Sequence, residues 1–144
     1  MLLFITTSDV HANFPQTPKT TGHFCTIKDR DFSRFRYDEQ IPYCYRNVRY
    51  ELKTKKYKEY KVDLNTRDQY TIDHIIPLSI GGSNHPQNLW PQHKSIITAP
   101  YEREVYEMVR DSKIKRKVAV QMLMLKKFDP DKSWAEIKRE VLGF

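Results

Sequence analysis

The sequence lacks the long hydrophobic runs that membrane-spanning proteins need. No stretch of its 144 residues approaches the ~20 consecutive apolar residues of a membrane helix, so no contact with a membrane is expected. Internal repeats and low-complexity tracts are absent as well. Apolar residues make up 39% of the chain and charged residues 30%, which is typical of one folded domain with a strongly solvated surface.

Cysteine is scarce, with only Cys25 and Cys44 present and no C-x-x-C motif. This excludes a zinc knuckle and a thioredoxin-type redox site. The two cysteines are expected to form one disulfide if the chain is exported, or to be buried thiols if it is cytoplasmic.

The N-terminal segment bears on that choice. Residues 2–5 resemble the end of the apolar region of a secretory signal, and residues 10–12 have small side chains where signal peptidase cleaves. The alternative is a frayed segment without a targeting role. We expect a periplasmic or secreted protein, with an irregular segment at residues 1–23 that includes a signal-peptide remnant, followed by one domain at residues 24–144.

Positive charge dominates. Lys and Arg number 25 against 18 acidic residues, giving a net charge of +7. A basic domain of this size attracts polyanions, and Lys and Arg contacts to phosphate drive most nonspecific nucleic-acid affinity. The alternative is a basic surface that serves solubility alone. The residues that we expect to contact phosphate are Arg46, Arg49 and Lys94, because Arg can grip phosphate in a bidentate manner and Lys94 follows a predicted strand.

Hydrophobic spacing predicts a mixed α+β fold. Residues 24–43 show no clear period and are expected to form loops and short elements pinned by aromatic rings. Helices are predicted at residues 44–60, 100–110 and 113–127, with a fourth helix opening at the capping box of residues 133–136. Strands are predicted at residues 70–79 and 89–92, separated by a loop that contains Gly81 and Gly82.

The chemistry is concentrated between Asp73 and His93. Phosphodiester hydrolysis needs a base that deprotonates water, stabilisation of charge on the phosphate, and neutralisation of the leaving oxygen. A histidine with a near-neutral pKa suits the first task, and a divalent cation bound by a carboxylate suits the other two. Adjacent Asp73 and His74, the Gly-Gly loop, Asn88 and His93 supply these residue types within one predicted hairpin.

The stretch DHIIPLSIGGSNHPQNLWPQHK resembles the HNH (ββα-metal) endonuclease family, and YDEQIPYCYRNV resembles its bacterial, exported members. The resemblance implies a ββα-metal hairpin-helix core surrounded by several helices, without the C-x-x-C zinc motifs of many relatives. It implies that His74 is the general base, that Asn88 orients it, and that Asp73 and His93 bind the metal. His93 follows Asn88 early for this family, so Glu102 and Glu104 are kept as substitutes.

The expected function is metal-dependent hydrolysis of DNA, with RNA as the alternative substrate. One divalent ion is expected, first Mg²⁺, with Mn²⁺, Ni²⁺ or Zn²⁺ as alternatives because they accept histidine. The competing hypothesis is a catalytically inactive HNH-like module that only binds nucleic acid. In a regular strand Asp73 and His74 point to opposite faces, so a shared site requires a twist or a bulge of the strand at this point. Otherwise His74 is expected to be a packed residue on the apolar face of the strand. Sequence alone leaves the oligomeric state open.

Overall fold

Two antiparallel hairpins and four α-helices form the part of the chain that this computed structural model describes, residues 14–143. The predicted α+β class is confirmed, and the segment in which a signal remnant was expected, residues 1–12, lies outside the described residues. Within residues 14–143 no helix is long and apolar enough to cross a membrane. The elements are β1 (Phe32–Arg36), β2 (Ile41–Cys44), α1 (Tyr50–Glu59), β3 (Tyr70–His74), β4 (Leu89–His93), α2 (Ala99–Arg110), α3 (Arg116–Phe128) and α4 (Trp134–Leu142).

The hairpin of β3 and β4 is the centre of the fold. Its register runs from Tyr70 opposite His93 to His74 opposite Leu89. Strand β3 ends at His74, earlier than the predicted residue 79. The amide and the carbonyl of Ile76 are hydrogen-bonded to the Asn88 side chain instead of to a neighbouring strand, and Pro77 has no N–H to continue the ladder. The chain then turns through a 3-10 turn at Leu78–Ile80.

The hairpin of β1 and β2 was not predicted, since only loops and short elements were expected there. Its turn contains Tyr37 and Gln40 at φ 62° and 58°, a conformation that non-glycine residues rarely adopt. Cys44 ends β2 and forms a buried disulfide with Cys25.

Helix α1 begins at Tyr50, six residues later than predicted. Residues 45–49 form no regular element, and their polar groups bind elsewhere. The Tyr45 amide donates to the Asp31 carbonyl, and the Asn47 side chain donates to Asp31 Oδ1 at 2.9 Å. The helix then buries Lys56 and Tyr57.

Helices α2, α3 and α4 follow the predicted periodicity and cover the β3–β4 hairpin. Their fully buried residues include Val105, Met122 and Ile137, which share one core with Ile75 and Trp90. The predicted capping box is present, since Ser133 Oγ accepts from the Glu136 amide at 3.1 Å. The irregular segment 14–23 also contacts this core, because the fully buried Thr20 donates to the Leu89 carbonyl at 2.9 Å.

Candidate active site

A cleft of about 190 Å³ opens where β3 ends. Asp73 and His74 both line it although they are neighbours in a strand, because the regular strand stops at His74. Helix α2 contributes Glu102 from the other side. The remaining lining residues are Arg46, Pro77, Leu78 and Ser79.

The Asp73 carboxylate is held firmly by one of its two oxygens. Asp73 lies opposite Trp90 in the hairpin, and its Oδ2 accepts from Trp90 Nε1 at 2.9 Å and from Lys127 Nζ at 3.0 Å. No side chain or amide of residues 14–143 donates to Oδ1. One oxygen of a positioned carboxylate is therefore left for a ligand.

A buried ammonium joins Asp73 to Glu102. Lys127 Nζ donates to Asp73 Oδ2 and to the carbonyls of His74 and Ile75 at 3.0 to 3.1 Å, which uses its three protons. Glu102 Oε1 lies 2.6 Å from the same nitrogen. The ammonium therefore has four oxygen neighbours, and its contact to Glu102 is the shortest of the four.

Burial and mutual charge shift the pKa values of Lys127 and Glu102. Burial would lower the pKa of Lys127, but the charges of Asp73 and Glu102 outweigh it and raise that pKa. Burial raises the pKa of Glu102, and the Asp73 charge adds to the rise against the attraction of Lys127. Two carboxylates thus share one ammonium.

The His74 imidazole has a defined tautomer. Asn84 Nδ2 donates to Asp31 Oδ2 and to the Tyr45 carbonyl, both at 2.9 Å, so Asn84 Oδ1 must be the oxygen that faces His74 Nε2 at 2.9 Å. This oxygen only accepts, so Nε2 carries the proton and Nδ1 is the basic nitrogen of the neutral ring. Burial lowers the pKa of His74 below 6.5, although the Asn84 bond opposes this. The ring is therefore neutral at pH 7.

Asn88 does not have the position expected for it. Its Oδ1 accepts from the Ile76 amide at 3.0 Å, and its Nδ2 donates to the carbonyls of Ile76 and Ser83. It closes the loop between β3 and β4 and makes no hydrogen bond to His74. Asn84 holds the imidazole instead, and the assignment of that role to Asn88 is corrected accordingly.

The structure does not bring His93 to the cleft. Asp73 pairs with Trp90 and His93 pairs with Tyr70, at the opposite end of the hairpin, which is a separation of about 10 Å along the strand. His93 Nδ1 instead contacts Ser95 Oγ at 2.7 Å. The substitute Glu104 also faces away, since it accepts from Trp134 Nε1 at 2.7 Å. Of the three alternatives for the second ligand, the cleft contains Glu102.

The predicted phosphate contacts lie in three different places. Arg46 lines the cleft and donates to the Ile72 carbonyl at 3.3 Å. Arg49 lines another cleft, of about 290 Å³, together with Asp31 and Asn84. Lys94 is exposed beyond the end of β4, on the side of His93. Arg46 is therefore the basic side chain of the three that reaches Asp73 and His74.

The possible cation ligands of the cleft are two carboxylates and one imidazole. Within residues 14–143, one group of three His, Cys, Asp or Glu residues has its possible metal-ligand atoms within 4.8 Å of one another, namely Cys25, Asp29 and Cys44. The two cysteines form a disulfide, so neither offers a thiolate to a metal. Asp73 and Glu102 offer carboxylate oxygens, and the Lys127 ammonium lies between them. Oxygen ligands completed by water are what Mg²⁺ prefers.

Sequence reasoning missed Lys127, Asn84 and Asp31 in this site. Lys127 lies 54 positions from Asp73, and a lysine late in an amphipathic helix has no local signal that distinguishes it from a solvated one. Asn84 lies in the predicted loop after Gly82, where asparagine is a common turn residue.

The chain was compared with family models, with curated protein sequences and with solved structures, and none of them matches it.

Proposed function

We propose that this chain is a metal-dependent endonuclease of the HNH (ββα-metal) kind that hydrolyses phosphodiester bonds in DNA, with RNA as the second choice of substrate. The observation that carries the proposal is a neutral imidazole of defined tautomer, His74, in the same cleft as two carboxylates that share one ammonium. The carboxylates and the imidazole come from a β3–β4 hairpin and the following helix α2. This is the element order of a ββα-metal core.

His74 acts as the general base in this proposal. Its Nδ1 accepts a proton from water. Its Nε2 keeps its own proton and donates a hydrogen bond to Asn84 Oδ1. Asn84 keeps the ring from turning, because its own amide is held by Asp31 and Tyr45. Arg46 places a guanidinium at the same cleft and can stabilise the charge that develops on the phosphate.

Asp73 and Glu102 would hold the divalent ion. When bound, the ion supplies Lewis-acid stabilisation of the phosphate and of the leaving oxygen. Since both residues offer oxygen, Mg²⁺ or Mn²⁺ fits this pair better than Ni²⁺ or Zn²⁺, which favour imidazole. The ligand pair replaces the expected pair of Asp73 and His93.

An inactive nucleic-acid-binding module is the second candidate. One observation favours it: the Lys127 ammonium already lies between Asp73 and Glu102. A protein in which this lysine takes the place of the ion permanently would keep the hairpin and bind nucleic acid without cutting it.

Nicking of a supercoiled plasmid separates the two candidates. The parent protein is expected to nick DNA with Mg²⁺ or Mn²⁺ and to stop when EDTA is added. Glu102→Gln is expected to lose this activity, whereas Glu104→Gln, on the same helix but outside the cleft, should keep it. A parent protein that binds DNA but does not cut it with either ion would contradict the nuclease proposal and support the inactive nucleic-acid-binding module.

We also propose that the protein works in the periplasm or outside the cell. The support is the Cys25–Cys44 disulfide, in which both cysteines are buried, because disulfides persist in oxidising compartments.

A further inference from the structure

A second cleft continues from the candidate active site. It measures about 320 Å³ and is lined by Arg36, Ser79, Ala99, Glu102, Arg103 and Tyr106. Ser79 and Glu102 line both clefts. The two clefts therefore form one groove, which we call the arginine groove. It runs from Arg46 past Asp73 and Glu102 to Arg36.

Two guanidinium groups at the ends of this groove lack carboxylate partners. None of the ion pairs within residues 14–143 includes Arg36 or Arg46. Arg103, by contrast, is paired with Glu107 at 3.2 Å. An unpaired guanidinium beside a groove keeps its donors for an anionic ligand.

Arg36 is held in place by aromatic rings. Its guanidinium carbon lies 4.6 Å from the ring centre of Tyr43 and 5.1 Å from that of Tyr37. The Tyr37 hydroxyl donates to the Ser79 carbonyl at 2.6 Å, which fastens the β1–β2 turn to the floor of the groove. Little side-chain freedom remains to be lost when Arg36 binds a ligand, so its contact to an anion is favoured.

We propose that the arginine groove holds the sugar-phosphate backbone of the substrate strand beside the linkage that is cut, with Arg36 binding a neighbouring phosphate. This inference rests on the proposed function, since it takes the scissile phosphate to lie between Asp73, Glu102 and His74. It adds a contact that the expected set of Arg46, Arg49 and Lys94 did not include. The β1–β2 hairpin is thus a substrate-binding element.

The test is the salt dependence of DNA binding, measured by fluorescence anisotropy in EDTA so that no cleavage occurs. Arg36→Ala is expected to weaken binding roughly tenfold, the effect of one lost charge-assisted contact. It should also lower the slope of log K against log salt by about one. The matched control is Arg34→Ala, which removes the same charge from the same strand and also loses a stack on Tyr43. Arg34 does not line the groove, so its slope should stay within half a unit of the parent's.

Equal changes of DNA affinity and salt slope in Arg36→Ala and Arg34→Ala, or no change in Arg36→Ala, would overturn the groove assignment. A parent protein that does not bind DNA would overturn it as well. Arg36→Lys guards against a folding defect, because it keeps the charge and should recover most of the slope. Failure of the nuclease proposal looks different: the parent would not nick DNA, yet binding would still depend on Arg36.

Discussion

Removing the disulfide should lower the stability of the protein by about 3 kcal/mol. The bond joins Cys25 to Cys44 across a sequence separation of 19, and closing a loop of this length removes about that much free energy from the unfolded state in the chain-entropy treatment. For a urea m-value of roughly 2 kcal/mol per M, the unfolding midpoint of Cys25→Ala/Cys44→Ala should fall by about 1.5 M.

The same substitution should reach the candidate active site. Asp31 lies within the closed loop and Tyr45 follows Cys44, and these two residues hold the Asn84 side chain against His74. Plasmid nicking by the double variant should therefore fall even at temperatures where the protein stays folded.

The assay is urea unfolding followed by tryptophan fluorescence, with and without dithiothreitol. The reductant should shift the parent towards the double variant and leave the double variant unchanged. A parent and a double variant that unfold within 1 kcal/mol of each other would refute the loop-closure reasoning. Unaltered nicking by a folded double variant would refute the coupling to His74.

Three further outcomes follow from the structure. Lys127→Met leaves Asp73 and Glu102 without their ammonium and should cost about 3–5 kcal/mol in unfolding free energy. Mg²⁺ should then raise the melting temperature of this variant more than that of the parent. Equal shifts of the two melting temperatures would contradict the proposal that Asp73 and Glu102 bind the ion. Gly82→Ala should cost at least about 2 kcal/mol, because a Cβ there would lie 1.8 Å from the Ile76 carbonyl oxygen. Gly143→Ala meets no atom within 4 Å and is strained only by its φ of +79°, so it should cost less in urea unfolding. Burial opposes ionisation of Glu104, but the hydrogen bonds from Trp134 and Lys138 favour its charged form and lower its pKa. The charged carboxylate therefore stabilises the folded protein above its ordinary pKa of 4.5, and this stabilisation is lost as the pH falls below that value. The parent should lose more stability than Glu104→Gln between pH 6 and pH 3.

The helices after the hairpin could be predicted because their periodicity is local. Within each helix the apolar residues recur four positions apart, as in Val105 and Val109 of α2 and in Val118 and Met122 of α3. The Ser133–Glu136 capping box marks where α4 begins. The β1–β2 hairpin has no such signal, since its turn uses Tyr37 and Gln40 at positive φ rather than glycine or asparagine-glycine.

The site could be predicted as far as its residues are neighbours in sequence. Asp73 and His74 are adjacent in sequence and line one cleft. The register of the hairpin, which separates His93 from them, depends on how Asn88 closes the loop. Glu102 and Lys127 reach Asp73 only through the packing of α2 and α3, which no spacing along the chain reveals.

The most direct test of the account is metal-dependent DNA cleavage by His74→Ala beside His93→Ala, with DNA affinity measured for both. If His74 is the base, His74→Ala will lose cleavage by at least about 100-fold, as general-base catalysis contributes, and will keep its affinity, while His93→Ala will cut like the parent. Cleavage by His74→Ala at the parent's rate, or its loss in His93→Ala alone, would contradict the assignment.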